Sequence, residues 1–433
     1  MITKRKAFII FVVLLLAVQV FFVNTSAAEE GTGDAGKIEK LERLIKEQQE
    51  QMESLQQQLN QLKETATDAQ KKAKEAKSVA EEVKITVQAP VEKAVTSGQD
   101  RVKLAVSGQA NRAMNIVDDG KDTRAYFVDA DDSNSRVRFV GTAKVTDDLT
   151  IGARIEVAIA PNESSDVSQE DQESGNFLDQ RWSEVSLHSK RFGKLSLGKG
   201  DTASNNSSEV DLSRTDVIQY ASVADIVGGM LFRQRGDDTL TTIRVSDAFS
   251  NFDGLSRKSR MRYDTPTFYG FHLAGSVVSD QRYDVSLWWG GQGLGFKAAG
   301  AVAVAYLNGD DSDYQYDGSF SLLHEATGLN LTLSAGSREV DEQDDPSNAW
   351  VKAGWLTRFF SIGETAFGFD YGRVVNLPTE NDDSYTYGAA AVQQFEEYGT
   401  ELYAQYRLYS LDRNVNPDVH DISAGIIGAR VKF

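Results

Sequence analysis

Leu149-Thr150-Ile151-Gly152-Ala153-Arg154-Ile155-Glu156-Val157-Ala158-Ile159 puts an apolar residue at every odd position and Thr, Gly, Arg, Glu or Ala at every even one. Successive side chains of a strand leave on opposite faces, so this stretch has one apolar face and one polar or small face. The same period recurs in Tyr314–Leu322, where Tyr314, Tyr316, Phe320 and Leu322 alternate with Gln315, Asp317, Ser319 and Ser321. Leu329, Leu331, Leu333 and Ala335 alternate with Asn330, Thr332, Ser334 and Gly336, and Ile427, Ala429, Val431 and Phe433 with Gly428, Arg430 and Lys432. Alternation sustained over about ten residues is what a tilted strand needs to cross a bilayer, with the apolar face toward lipid.

Sixteen such segments follow Val102: 102–116, 135–146, 149–160, 180–190, 193–199, 257–264, 269–279, 281–289, 296–306, 313–323, 327–337, 348–359, 362–373, 385–397, 401–411 and 423–433. Tight turns near Asp147-Asp148, Arg191-Phe192, Thr265–Phe268, His324–Ala326 and Glu397–Gly399 take turns with longer connections at 117–134, 161–179, 200–256, 338–347, 374–384 and 412–422. Short turns on one rim and long loops on the other are the expected form of a transmembrane barrel. Pro161, Pro266, Pro346, Pro378 and Pro417 all fall between segments, as residues that cannot donate to a ladder must. A soluble β-sandwich would share the alternation. It would not need Tyr263, Phe268, Tyr269, Phe271, Trp289, Tyr306 and Phe433 at strand ends, where a membrane barrel carries an interfacial girdle. The expected fold is all-β: a 16-stranded antiparallel transmembrane β-barrel over 101–433, preceded by an α-helical coiled coil.

The N-terminal hundred residues obey other rules. Lys4, Arg5 and Lys6 precede an apolar run, Ala7–Val23, and Ser26-Ala27-Ala28 supplies small residues for cleavage, so 1–28 read as a signal peptide and 29–37 as a short linker. Residues 38–83 keep a heptad with Ile38, Ile45, Met52, Leu59, Ala66, Ala73 and Ala80 at a and Leu41, Gln48, Leu55, Leu62, Ala69, Ala76 and Val83 at d. That is a coiled-coil seam about 70 Å long, bulky in its first half and alanine-rich in its second, and it leaves the oligomer order open. Pro90 lies in the linker 84–100. The chain has 433 residues, no cysteine and a net charge of −18, so a nucleic-acid partner, which needs a basic face, is not expected.

Several stretches resemble the Gram-negative general (trimeric) porin family. They are Ser135–Thr142 (SRVRFVGT), Arg181–Gly198 (RWSEVSLHSKRFGKLSLG), Arg262–Phe271 (RYDTPTFYGF) and the terminal Gly428–Phe433 (GARVKF). The resemblance spans roughly 100–433. It implies an outer-membrane porin, a homotrimer with a water-filled channel for ions and small hydrophilic solutes. It also implies a third extracellular loop whose first half folds into the lumen, a periplasmic N-terminus, and a terminal Phe433 read by the insertion machinery. The coiled coil departs from the common pattern. Some sugar- and acid-selective porins carry comparable extensions, so a substrate-selective porin for small acids or sugars, or a barrel that tethers the envelope, stay open beside general diffusion.

A pore acts through the charges at its narrowest part. Arg136 and Arg138 share a face with Thr142 and Lys144; Lys258, Arg260, Arg262 and Asp264 share another; Arg154 and Arg181 add to them. Like charges two apart on a strand are tolerated when they are wet or paired, so these residues are expected to line a water-filled lumen. Opposite them, the loop 200–256 carries Asp201, Glu209, Asp211, Asp216 and Asp225. Which of these acids reach the lumen, and the sign of ion selectivity, the sequence leaves open. Asp118, Asp119, Asp129, Asp131 and Asp132, then Glu163, Asp166, Glu170, Asp171 and Glu173, and later Asp341, Glu342, Asp344 and Asp345 are expected in outer loops. There clustered carboxylates could hold Ca²⁺ or Mg²⁺ and bridge to lipopolysaccharide. No catalytic residue, cofactor or protein metal site is expected: His188, His272, His324 and His420 have no ligand spacing, and GGQGLG at 290–295 precedes no helix and reads as a turn between strands.

Overall fold

The computed structural model describes residues 102–433 apart from 174–176 and 310–313. The signal peptide and the coiled coil expected over 38–83, with its seam from Ile38 to Val83, lie outside the described residues. Fifteen strands are continuous: β1 Val102–Asp118, β3 Leu149–Ile159, β4 Leu178–Ser189, β5 Gly193–Asp201, β6 Arg257–Asp264, β7 Phe271–Val278, β8 Tyr283–Gly293, β9 Phe296–Tyr306, β10 Tyr314–His324, β11 Leu329–Arg338, β12 Ser347–Phe360, β13 Gly363–Val375, β14 Asp383–Phe395, β15 Thr400–Asp412 and β16 Ile422–Lys432. The sixteenth, β2, has two arms, Thr123–Asp129 and Arg136–Lys144, split by a 3₁₀ turn at Asp131–Ser133. Each strand pairs antiparallel with its sequence neighbour, and β1 pairs with β16, Gln109 opposite Lys432 through Asp118 opposite Ser423. The sheet is therefore a closed antiparallel barrel with no free edge.

Closure is sealed at the last residue. The Gly108 amide donates to the Phe433 carbonyl at 2.7 Å, and the Phe433 amide returns a bond to Gly108 at 2.9 Å. A Cβ on Gly108 would sit 2.7 Å from the Phe433 ring, so only glycine fits there. The alternation resolves as expected, with Ile151, Ile155, Leu331, Leu333, Ile427 and Val431 outward and exposed and Glu156, Ser319, Thr332, Ser334 and Arg430 inward and buried. Outward aromatics gather at the rims: Phe268, Tyr269, Phe271 and Phe433 are exposed at the short-turn rim, and Tyr283, Tyr306, Tyr314 and Tyr316 stack along the other.

Half of the connection expected over 117–134 is strand: β1 runs to Asp118 and the upper arm of β2 spans Thr123–Asp129. β8 likewise runs on through the glycines to Gly293, leaving only Leu294-Gly295 as the turn. The loop after β5 departs further from expectation, because both of its halves lie inside the barrel. Its first half follows the inner wall. Ser276 and Ser286 bond the two backbone polar groups of Ala203, Ser319 donates to the Ser207 carbonyl and accepts from the Val210 amide, Ser321 accepts from the Leu212 amide, and Ser334 donates to the Ser208 carbonyl. From Val217 onward, and through its second half, it builds an apolar core against the upper wall: Val217, Ile218, Ile226, Met230, Phe232 and Phe249 pack with Tyr126, Val128, Tyr409, Leu411, Ile422 and Ile426. Burial of this apolar surface, about 25 cal/mol per Å², holds the loop there. Phe249 meets Tyr409 edge-on at 5.3 Å, and the Tyr409 hydroxyl donates to the Val223 carbonyl at 2.6 Å.

Candidate constriction site

Polar inward positions on β2, β3 and β4 converge on one carboxylate, Glu156 of β3. Arg138 Nε and Arg154 Nη2 donate to its Oε2 at 2.5 and 2.6 Å, Arg181 Nε donates to Oε1 at 3.0 Å, and Arg136 Nη1 stands 3.7 Å from Oε1. Arg181 reaches in because β4 carries a bulge opposite Glu156 and Val157. The Arg154 guanidinium stacks on the Trp182 ring at 3.6 Å. Arg257, at the start of β6, forms an ion pair with Asp201 at 3.0 Å and lies within electrostatic range of Arg136, Arg181, Glu156 and Glu209.

A second, acidic group comes from three segments. The 3₁₀ turn inside β2 carries Asp131 and Asp132, the connection after β3 carries Glu163, and the long loop carries Glu209, Asp225 and Asp253. They are stitched together: Asn134 donates to Glu163 at 3.0 Å, Ser165 to Asp131 at 2.6 Å, Asn251 to Glu209 at 2.8 Å, and Tyr220 to Asp225. Burial and the Asp131 carboxylate push both Glu163 and Asp225 up to about 7. Burial pushes Asp253 up to about 6, against hydrogen bonds from Asn206 and Ser208, and raises Glu209 with help from Asp253.

Among the residues singled out from sequence, Arg136, Arg138, Arg154 and Arg181 are brought together. Lys258 is half-buried and has no ion-pair partner among the described residues. Arg260 is sealed in the wall, its side chain 1% exposed, and donates to Glu184 at 2.6 Å, Gly198 O at 3.0 Å and Asp201 O at 2.9 Å. Arg262 is spent on Asp264 at 2.7 Å and on the Thr202 carbonyl at 2.6 Å. Both arginines face inward as the alternation required, and their partners hold the root of the loop; Arg260 is sealed, whereas the Arg262 side chain is 16% exposed, as much as those gathered on Glu156. Asp211 is a buried anchor, paired with Lys352, whose ammonium also donates to Thr215 at 2.8 Å and the Gln219 carbonyl at 2.7 Å. Asp216 is exposed, and Glu209 and Asp225 join the acidic group. A second buried anchor is Arg407, bidentate to Asp370 at 2.7 and 2.8 Å, with Gln219 and Trp350 on the same carboxylate.

Asp129, Asp131, Asp132 and Glu163 are not outer-loop residues as expected. Asp129 is fully buried and accepts from the Ser135 amide at 2.7 Å, and the other three are half-buried, with Asp131 and Glu163 held by Ser165 and Asn134. Asp341, Glu342, Asp344 and Asp345 are exposed as expected. Among the described residues no group of three or more His, Cys, Asp or Glu is placed to hold a metal ion, so the Ca²⁺ or Mg²⁺ bridge gains no support from the geometry. Glu156, Arg257, Asp131 and Asp132 escaped the sequence reading as site residues. The parity of Glu156 with Arg154 is the visible signal; the Asp, Asn and Ser of 129–135 mark a turn, and nothing local marks that it lies within a strand.

A family model of Gram-negative porins matches residues 86–414. The chain belongs to the Gram-negative porin family. As a porin it forms a channel in the outer membrane, and family and fold are those of a channel rather than an enzyme. None of the curated proteins matches this porin's sequence. Solved structures share its fold at low identity. An anion-selective porin from Comamonas acidovorans is 15% identical with a TM-score of 0.52, covering 77% of this chain and 100% of its own. OmpT of Vibrio cholerae in its trimer form is 13% identical at 0.51, covering 77% and 100%. The outer membrane channel DcaP of Acinetobacter baumannii is 12% identical at 0.50, covering 78% and 99%.

Proposed function

We propose that ions and small hydrophilic solutes pass this porin between the arginines gathered on Glu156 and the acidic edge of Asp131, Asp132, Glu163, Glu209 and Asp225. The carrying observation is that four guanidiniums share one carboxylate, which leaves the wall in positive excess opposite a row of acids. Opposite charges across a narrow wet gap create a transverse field, which aligns dipolar solutes and favours them over apolar ones of equal size. Arg136→Glu with Arg138→Glu, recorded in planar bilayers under a salt gradient, tests this. The reversal potential should move toward cations, more than for any equal charge change within 338–347. An equal or larger effect from that outer loop places the constriction elsewhere, and a barrel that conducts nothing favours the tethering role.

The assembly proposed is a homotrimer with the coil of 38–83 in the periplasm and the barrel in lipid and lipopolysaccharide. Outward residues at the closure mix small ones (Gly108, Ala110, Ser423, Gly425 and Ala429) with Ile116, Ile427 and Val431, where β8–β10 carry tyrosines, and this flatter apolar side suits contact with a second copy. A relative of known structure, OmpT, occurs as a trimer. A monomeric mass for the native detergent complex refutes the trimer.

A further inference from the structure

We infer that Glu156 is a positioning residue that holds the constriction open by pinning four arginines flat against the wall, an inference that rests on the pore path proposed above. Its side chain is 1% exposed, whereas those of Arg136, Arg138, Arg154 and Arg181 are 12–19% exposed, so the carboxylate lies behind the guanidiniums and away from passing solute. Oε2 takes Arg138 and Arg154, and Oε1 takes Arg181 with Arg136 just beyond hydrogen-bond range. Each guanidinium is drawn backward toward one point, although the four repel one another.

Nothing else near them does this for all four. Arg154 has the Trp182 face and Arg136 has the Asn134 carbonyl at 2.9 Å, while Arg138 and Arg181 have no other charged partner within ion-pair distance among the described residues. The second carboxylate of this wall, Glu184, is committed to Arg260 at 2.6 Å and Lys194 at 3.5 Å. Guanidinium groups of like charge released from a shared anion separate until water and the acids opposite take them up. The open side is the lumen, toward Asp131 and Glu209, which lie within electrostatic range of Arg181 and Arg257 respectively. Loss of Glu156 therefore narrows the pore by extending arginine into it, and exposes cations to the solute at the same time.

The test separates position from charge. Glu156→Asp keeps the charge but shortens the arm by one methylene, so it cannot meet both pairs of arginines; Glu156→Gln removes the charge. Full-length native protein is reconstituted into planar bilayers, with inorganic phosphate as the probe anion. Glu156→Gln should lose conductance, shift its reversal potential toward anions and be blocked by less phosphate. Glu156→Asp should lose conductance with an almost unchanged reversal potential, and it carries the test if the Gln variant does not assemble. An Asp variant that conducts like the wild type, or a Gln variant that conducts more, overturns the inference and leaves Glu156 as a plain charge. Arg136→Gln with Arg138→Gln, if it leaves conductance and reversal potential unchanged, overturns the pore path itself.

Discussion

Lowering the pH from 8 to 5 should shift this porin toward anions, because the two sides of its constriction titrate differently. Glu163 and Asp225, near 7, and Asp253, near 6, are charged at pH 8 and neutral at pH 5, while the arginines opposite stay charged. Three negative charges are lost from one edge. Taken at about 8 Å from a permeating ion in water, they amount to about 1.5 kcal/mol before screening. Screening over about 10 Å at 0.1 M salt roughly halves that. Anions gain and cations lose the same amount, so the anion-to-cation permeability ratio should rise roughly tenfold. At 1 M salt, with a screening length of about 3 Å, the change should shrink below about twofold. The assay is the reversal potential of the reconstituted porin across a tenfold salt gradient at each pH. Asp225→Asn with Glu163→Gln should remove most of the pH dependence. A ratio that stays flat between pH 8 and 5, moves toward cations, or keeps its full pH dependence in that double variant would refute the acidic edge.

Arg407→Met breaks its buried pair with Asp370 and strands that carboxylate, at a cost of about 3–5 kcal/mol. The heat-modified band should appear at a lower temperature and the current should grow noisier as Gln219 loses its seat; an unaltered melting profile would show the anchor to be idle. Deleting Phe433 removes two backbone bonds and the ring under Gly108, and should reduce assembled barrel in outer-membrane fractions, as should Gly108→Val; wild-type levels in both would show that the closure is not limiting. Removing residues 29–90 should leave barrels that fold and conduct, since the hydrogen-bonded closure lies within 102–433; loss of the barrel signal in circular dichroism would contradict that independence.

What the sequence disclosed follows from what a period of two can encode. Parity placed all sixteen strands and put Arg136, Arg138, Arg260 and Glu156 on the inner face, because lipid imposes apolar side chains on every second residue. Parity says nothing about which inner residue meets which. Arg260 and Arg136 look alike in sequence, yet one is sealed by Glu184 and the other is 15% exposed beside Glu156. The upper arm of β2 looks like loop in sequence because Asp118–Asp122 and Asp129–Ser135 are rich in Asp, Asn and Ser, and those are turn residues. Here the second cluster is a 3₁₀ turn within a strand, and it places Asp131 and Asp132 in the wall instead of in an outer loop. The apolar residues of 217–249 have no regular period, since they match the contours of an inner wall and not a repeating surface.

The row of wall hydroxyls has a consequence for how such channels diversify. Ser286, Ser319, Ser321 and Ser334 grip the loop by its amides and carbonyls, groups every amino acid except proline brings. The path of that stretch is thus encoded partly in the barrel, and apart from wall-bonded side chains such as Ser204, Ser207 and Asp211 the loop's own letters there have room to drift. Mutation can rewrite what the pore admits one side chain at a time while the route stays put, and new permeability is reached without passing through a misfolded ancestor.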